Sequence, residues 1–169
     1  MSDYLDQYIQ RLEAIEPFHV PKITDDGEIV EGFRIDGSVA QVLAIREATL
    51  HDAVSVVATE IMWYGRLAAQ AKRVWQQRER EVTIWKARQY VTLASPDGKP
   101  DGWKKPSDKF IECQYRTLDE YEKRNREAER AEEAFNASQL IVDAFRAKER
   151  MLKADVYRAR DGSLQRLSV

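Results

Sequence analysis

The sequence predicts a mainly α-helical protein: a long antiparallel helical hairpin of coiled-coil type, preceded by a short helix and a small β-hairpin. Three observations lead there. Two long, mostly apolar seams step by four and three residues alternately, a segment with three Pro and two Gly separates them, and the 169-residue chain holds only 7 Gly and 5 Pro. The predicted organisation is an acidic arm over residues 1–37, the hairpin over 38–160 with its tip at 94–106, and a flexible tail over 161–169.

In the first helix Leu5, Tyr8, Ile9, Leu12 and Ile15 recur at helical spacing, Ser2 is placed to cap it, and Pro17 ends it. Lys22-Ile23-Thr24 and Glu28-Ile29-Val30 flank Asp25-Asp26-Gly27, and an Asp-Gly turn between β-branched runs signals a hairpin. Ser38, after Gly37, is the expected cap of the long helical region. The first seam reads Leu50, Val54, Val57, Ile61, Tyr64, Ala68, Ala71, Trp75, Arg78, Val82, Trp85, and only Arg78 breaks it. Thr49 with Asp52 marks a local helix restart and a bend near residue 48. Gly65 is a second weak point, because a helical Gly costs about 1 kcal/mol relative to Ala.

No helix is expected to cross Ser95–Pro106. Ser107 caps a short helix through Arg116, and Thr117 with Glu120 forms a capping box for the next one. The second seam reads Tyr121, Arg124, Ala128, Ala131, Phe135, Ser138, Val142, Phe145, Glu149, Leu152, Val156. Laid antiparallel, the two seams bring Trp85 to Tyr121, Tyr64 to Val142 and Leu50 to Val156. At 1.5 Å per residue, arms of about forty residues make a rod of roughly 60 Å.

Between residues 50 and 69 the first arm is apolar well beyond its seam, through Ala53, Val56, Ala58, Met62, Trp63, Leu67 and Ala69. The facing arm adds Ala134, Ala137, Leu140, Ile141 and Ala147. Two helices do not bury stripes that wide against each other alone. The N-terminal helix and further copies of the chain are both expected to cover them, which makes Val56, Met62, Trp63, Leu67, Leu140 and Ile141 the candidate homo-oligomer interface.

Composition narrows the function classes. With 33% charged residues and no long apolar run, membrane-spanning, collagen-like and low-complexity classes are excluded. A single Cys113 leaves no disulfide framework, and no basic-then-apolar leader points to secretion, so a cytoplasmic location is expected, the host cytoplasm if the source is a phage. Two His and one Cys cannot make a thiolate–imidazole zinc site. Phosphate-loop, Gly-x-Ser-x-Gly, His-Glu-x-x-His and EF-hand patterns are missing, and His19 and His51 read as surface or packing residues. Asp25, Asp26, Glu28 and Glu31 miss the calcium-loop spacing and read as a solvated turn. The expectation is a protein with no catalytic residues, no metal and no cofactor.

A net charge of −2 conceals an asymmetry. Residues 1–38 hold three basic and nine acidic residues, whereas 72–109 hold ten basic and five acidic ones. The basic set comprises Lys72, Arg73, Arg78, Arg80, Lys86 and Arg88 on the first arm and Lys99, Lys104, Lys105 and Lys109 at the tip, with Trp103 and Tyr90 beside them. Cations that track phosphates, plus an aromatic on which a base stacks, are what sequence-tolerant binding of single strands requires. The competing reading has Trp103 plugging the end of the hairpin and the cations solvating a helix face. The acidic arm is either a solvated cap or a surface that competes for a basic partner.

Several stretches carry a resemblance. Lys105-Pro106-Ser107-Asp108 through Ile111-Glu112, Glu132-Glu133-Ala134, Tyr64-Gly65-Arg66-Leu67-Ala68 and Val142–Leu152 look like small helical phage proteins similar in layout to the UvsY-type recombination mediators. The resemblance covers about residues 45–160 and leaves out the acidic arm. It implies a non-enzymatic homo-oligomer that binds single-stranded DNA and helps a RecA-like recombinase load onto strands coated by single-strand-binding protein. It also implies DNA contacts near the first long helix, at Arg66, Lys72 and Arg73. The alternative class is a helical protein–protein interaction module, such as a phage-encoded inhibitor of a host enzyme or a structural assembly subunit, acting through the acidic arm.

Overall fold

Among the described residues the elements run in the order α1 (Ser2–Glu13), β1 (Phe18–Ile23), β2 (Ile29–Ile35), α2 (Ser38–Ala44), α3 (Leu50–Ala94), α4 (Asp108–Arg116) and α5 (Asp119–Arg166). The structure, a computed structural model, describes the backbone of residues 2–44 and 50–166 and the side chains of 5–43 and 52–158. The Ser2 cap, the bend near 48, the Leu50–Val156 pairing and the side chain of His51 lie outside the described residues. The fold is mainly helical, with α3 packed antiparallel on α5, and it divides into two compact units, residues 1–71 with 134–169 and residues 72–133.

In the first unit the antiparallel pairing runs through Val57 and Ala53 against Leu152, and through Tyr64 stacked on Phe145 at 5.3 Å. Tyr64 and Val142, expected to be neighbours, share one buried cluster. Part of the surplus apolar surface of α3 and α5, including Leu67, Ile141 and Ala134, is covered from within the chain. Leu12 of α1, Val20 and Ile35 of the β-hairpin, and Val39, Ala40 and Leu43 of α2 pack with Leu67, Ala68, Ile141 and Ala144. Leu5, Tyr8, Ile9 and Ile15 line the edge of the same cluster, as the helical spacing of α1 requires. The acidic arm is therefore a third layer of this core. Burying a Leu, Ile or Phe side chain contributes about 1.5–3 kcal/mol, so these contacts hold the layer in place.

The β-hairpin matches the Asp-Gly signal, with strands longer than expected. Gly27 takes a positive φ of 83°, its N–H donates to the Thr24 carbonyl at 2.9 Å, and the Thr24 hydroxyl accepts from the Glu28 N–H at 3.0 Å. The register passes from Val20 opposite Phe33 to Lys22 opposite Val30, so Glu31 and Gly32 together face Pro21 in a bulge. Pro21 brings no N–H to the ladder, and the bulge absorbs that gap. A Cβ on Gly32 would stand 2.2 Å from the Val20 carbonyl oxygen, which explains the glycine. The Pro21 carbonyl accepts from Gln70 Nε2 at 2.6 Å, tying the bulge to α3.

Several local expectations are corrected. The carboxylate of Asp36, not the Ser38 hydroxyl, caps α2: its Oδ1 accepts from the Ser38 N–H at 3.0 Å, and hydrogen bonds from Ser38 hold its pKa below the usual value. Thr117 does not open α5 through a capping box. It closes α4, donating its hydroxyl to the Gln114 carbonyl at 2.8 Å, and α5 starts two residues later. The expected tail begins in helix, since α5 runs on through Asp161-Gly162 to Arg166.

In the second unit Trp85 meets Tyr121 at 6.1 Å between ring centroids, as the seams require, and both pack with Tyr115 of α4. Ile111 of α4 is fully buried, and Ser107 caps α4 by accepting from the Phe110 N–H. No helix crosses 95–107; instead two Pro-Asp-Gly turns follow each other, with Gly98 and Gly102 at positive φ and with Lys99 and Trp103 N–H groups donating to Pro96 and Pro100 carbonyls.

Two glycines should respond in opposite directions. Gly32→Ala forces a Cβ into backbone and is expected to destabilise by about 1–3 kcal/mol. Gly65→Ala, with nothing within 4 Å of the new Cβ, should stabilise by about 0.5–1 kcal/mol through helix propensity. Urea unfolding of both variants checks this, and a neutral Gly32→Ala would rule out the bulge.

Candidate nucleic-acid interface

Several of the cations picked out by sequence are engaged by carboxylates and rings of their own chain. Arg78 breaks the first seam and Arg124 the second, and the two meet a shared set of carboxylates in the second unit. Arg78 Nη1 lies 2.8 Å from Glu81 and 3.2 Å across the helix pair from Glu127, while Arg124 pairs with Glu120 at 2.7 Å. Gln77 Nε2 donates to the second oxygen of Glu81 at 3.1 Å. A polar layer of this kind, set in an otherwise apolar seam, disfavours slipped registers, because a slip leaves the charges unpaired. Arg78 is thus engaged by two carboxylates of its own chain.

Lys86 and Lys105 are engaged as well. Lys86 Nζ lies 5.3 Å from the centre of the Tyr121 ring. Lys105 Nζ donates to the Tyr90 hydroxyl at 2.7 Å and lies 3.1 Å from Asp108, to which that hydroxyl donates at 2.7 Å. The three groups fasten the second Pro-Asp-Gly turn to the end of α3. Hydrogen bonds from Tyr90 and Lys105 lower the Asp108 pKa, and hydrogen bonds to Tyr90 and Asp108 raise that of Lys105, so the cluster keeps its charges over the whole neutral range.

Trp103 is half-buried, so the chain itself covers part of the ring. Lys99, Lys104 and Lys109 are exposed, but Asp97, Asp101 and Asp108 lie among them, and residues 95–109 carry four basic against three acidic side chains. The charge excess lies on α3 instead: residues 72–94 hold six basic and two acidic side chains. Lys72, Arg73, Arg80 and Arg88 are exposed there, and Arg66 is exposed in the first unit. The α5 segment within the second unit is acidic, so the unit as a whole holds 15 basic and 13 acidic residues and the first unit 12 and 16. The contrast between units is milder than the contrast along the sequence.

The expected oligomer surface divides in the same way. Leu67 and Ile141 are buried in the core of the first unit, and Leu140 is half-buried against it. Val56, Met62 and Trp63 remain exposed, Met62 at 63%, and Phe33 of β2 meets Trp63 edge-on at 5.7 Å while itself exposed. Phe33 escaped the sequence reading because only the bulge decides which side of the hairpin it occupies. Tyr115 and Glu127 were missed for a related reason, their partners Trp85 and Arg78 lying on another element. Gln77 and Glu81 were missed because their role follows from Arg78, which they flank on α3. The one available signal was that each seam carries an arginine.

Among the described residues no cluster of three His, Cys, Asp or Glu side chains is placed to hold a metal ion, and no helix is long and apolar enough to cross a membrane. No protein-family model, curated protein or solved structure matches the chain.

The polar layer makes a pH-dependent prediction. Burial raises the Glu81 pKa, but hydrogen bonds from Gln77 and Arg78 and the charges of Arg78 and Arg124 outweigh it, leaving the carboxyl below its ordinary 4.5. A depressed folded-state pKa stabilises above the unfolded value, and that contribution is lost as pH falls through the folded value. Arg78→Gln should therefore cost about 1–2 kcal/mol at neutral pH. The gap from the parent should narrow in acid below 4.5, and urea unfolding at neutral and acid pH measures it. A gap independent of pH would contradict the pairing.

Proposed function

We propose that this chain is an oligomeric, non-enzymatic accessory protein of phage DNA recombination, which binds single-stranded DNA and assists loading of a RecA-like recombinase onto strands covered by single-strand-binding protein. The observation that carries the reading is the excess of cations on the second half of α3, six basic against two acidic residues, with Arg73, Arg80 and Arg88 exposed. The resemblance in layout to UvsY-type mediators supports it. The mechanism is electrostatic: guanidinium and ammonium groups replace counterions along the phosphates, and the protein then presents the strand to its partners. On this reading Lys99, Lys104 and Lys109 add weaker contacts from the loop side, and the protein works in the cytoplasm of the host cell.

Counterion release makes affinity fall steeply with salt. A fluorescent oligonucleotide titrated with the full chain should bind at low salt and weaken at least tenfold towards moderate salt. Absence of binding at low salt would refute the proposal. Self-association is separable from it. The exposed Val56, Met62 and Trp63, with Phe33, are the surface through which copies join, and burial of such a group favours association. Light scattering should report an oligomer for the parent chain and a smaller species for Trp63→Asp; a monomeric parent chain would end that part of the reading.

The same exposed aromatic pair favours a second reading, a helical interaction module that binds another protein. Residues 5–37 complete the core of the first unit, so deleting the acidic arm is a poor test and point substitution the better one. Loss of a protein partner in Phe33→Ser with DNA binding absent throughout would favour this second reading.

A further inference from the structure

The following inference rests on the nucleic-acid reading above and assigns its contact surface and its choice of strand. Arg73, Arg80 and Arg88 are exposed on α3, and among the described residues their guanidinium groups make no hydrogen bond or ion pair. Arg73, Arg80, Ile84, Arg88 and Val91 are separated by seven, four, four and three residues, steps that keep all five on one side of the helix. Ile84 is 45% and Val91 66% exposed. The arginines are spaced about 10.5 and 12 Å along the axis at a rise of 1.5 Å per residue.

The two acidic residues of this stretch do not oppose the row. Glu81 is held by Gln77 and Arg78, and Glu79 lines a shallow groove with Asn125 and Glu132 of α5. The row therefore presents unneutralised cations with exposed aliphatic side chains beside them. Guanidinium groups left unpaired by their own chain are suited to phosphate oxygens, which they grip in bidentate fashion.

The aliphatic residues decide which strand fits. In a duplex the bases are stacked inside, and a basic helix lying on the backbone meets phosphate and sugar, where Ile and Val gain little. A single strand can turn unstacked bases onto an apolar surface while its phosphates reach neighbouring cations. We propose that the Arg73–Arg80–Ile84–Arg88–Val91 face of α3 is a binding surface for single-stranded nucleic acid, with phosphates on the arginines and unstacked bases on Ile84 and Val91. The half-buried Trp103 and the charge-compensated loop are secondary to it.

The test compares an oligo-dT with a duplex of equal length, each titrated with the full chain across a salt series. The parent chain should prefer the single strand. R73Q/R80Q/R88Q should weaken oligo-dT binding at least tenfold and lower the salt slope by about 2, three contacts at roughly 0.7 each. R80Q alone, with a slope change of about 0.7, keeps the test valid should the triple variant lose helicity by circular dichroism. I84S/V91S should weaken oligo-dT binding several-fold and leave duplex binding unchanged, and K99Q/K104Q/K109Q should do less than the arginine variant. Parent-like binding by R73Q/R80Q/R88Q, equal or tighter binding of the duplex by the parent, or a larger loss in the loop variant would each overturn this surface while leaving a DNA-binding function intact. Failure of the parent chain to bind either nucleic acid would instead remove the functional reading itself.

Discussion

The first half of α3 is too apolar to be satisfied by one helix, and the rest of the first unit follows from that constraint. A two-helix seam buries one stripe, and here the stripe is joined by Leu67 on α3 and by Ile141 and Ala144 on α5. A third layer has to meet them, and the chain supplies it from α1, the β-hairpin and α2. The bulge at Gly32 and the Gln70 contact to the Pro21 carbonyl show how closely the hairpin is fitted to α3. The acidic arm, whose helix was expected on these stripes, joins the hydrophobic core through its β-hairpin as well.

The second unit solves a different problem. Its seam is narrower, and it is closed by an aromatic trio of Trp85, Tyr115 and Tyr121, each pair within about 6 Å and worth about 0.5–1.5 kcal/mol beyond burial. Beside the trio lies the polar layer around Arg78 and Arg124. Together they fix the register, one by shape and the other by charge. That use of charge also sorts the cations: Arg78 and Arg124 at the seam are paired within the chain, whereas Arg73, Arg80 and Arg88 are exposed on α3.

Much of the architecture was legible in the sequence. The alternating four-and-three steps anticipated the Trp85–Tyr121 contact and the shared cluster of Tyr64 and Val142, because heptad spacing dictates which side of a long helix faces its partner. The Asp-Gly turn and the Ser107 cap followed from local backbone chemistry and were found in place. Caps with rivals in the same few residues were not legible. Asp36 won over Ser38, and Thr117 was drawn back to the end of α4, since the deciding factor was where the neighbouring helix ended.

Sequence alone determined the helical periods, the turns, the pairing of the two seams and the total of charges, because each depends on residues close together or on a repeat that runs the length of a helix. Tertiary structure decided which apolar residues the N-terminal layer would bury, which cations would be spent on the chain's own carboxylates, and on which face the remainder would gather. Leu67 and Met62 look alike in the sequence, as do Arg78 and Arg80. Only packing across elements separates a core leucine from an exposed methionine and a paired arginine from a free one.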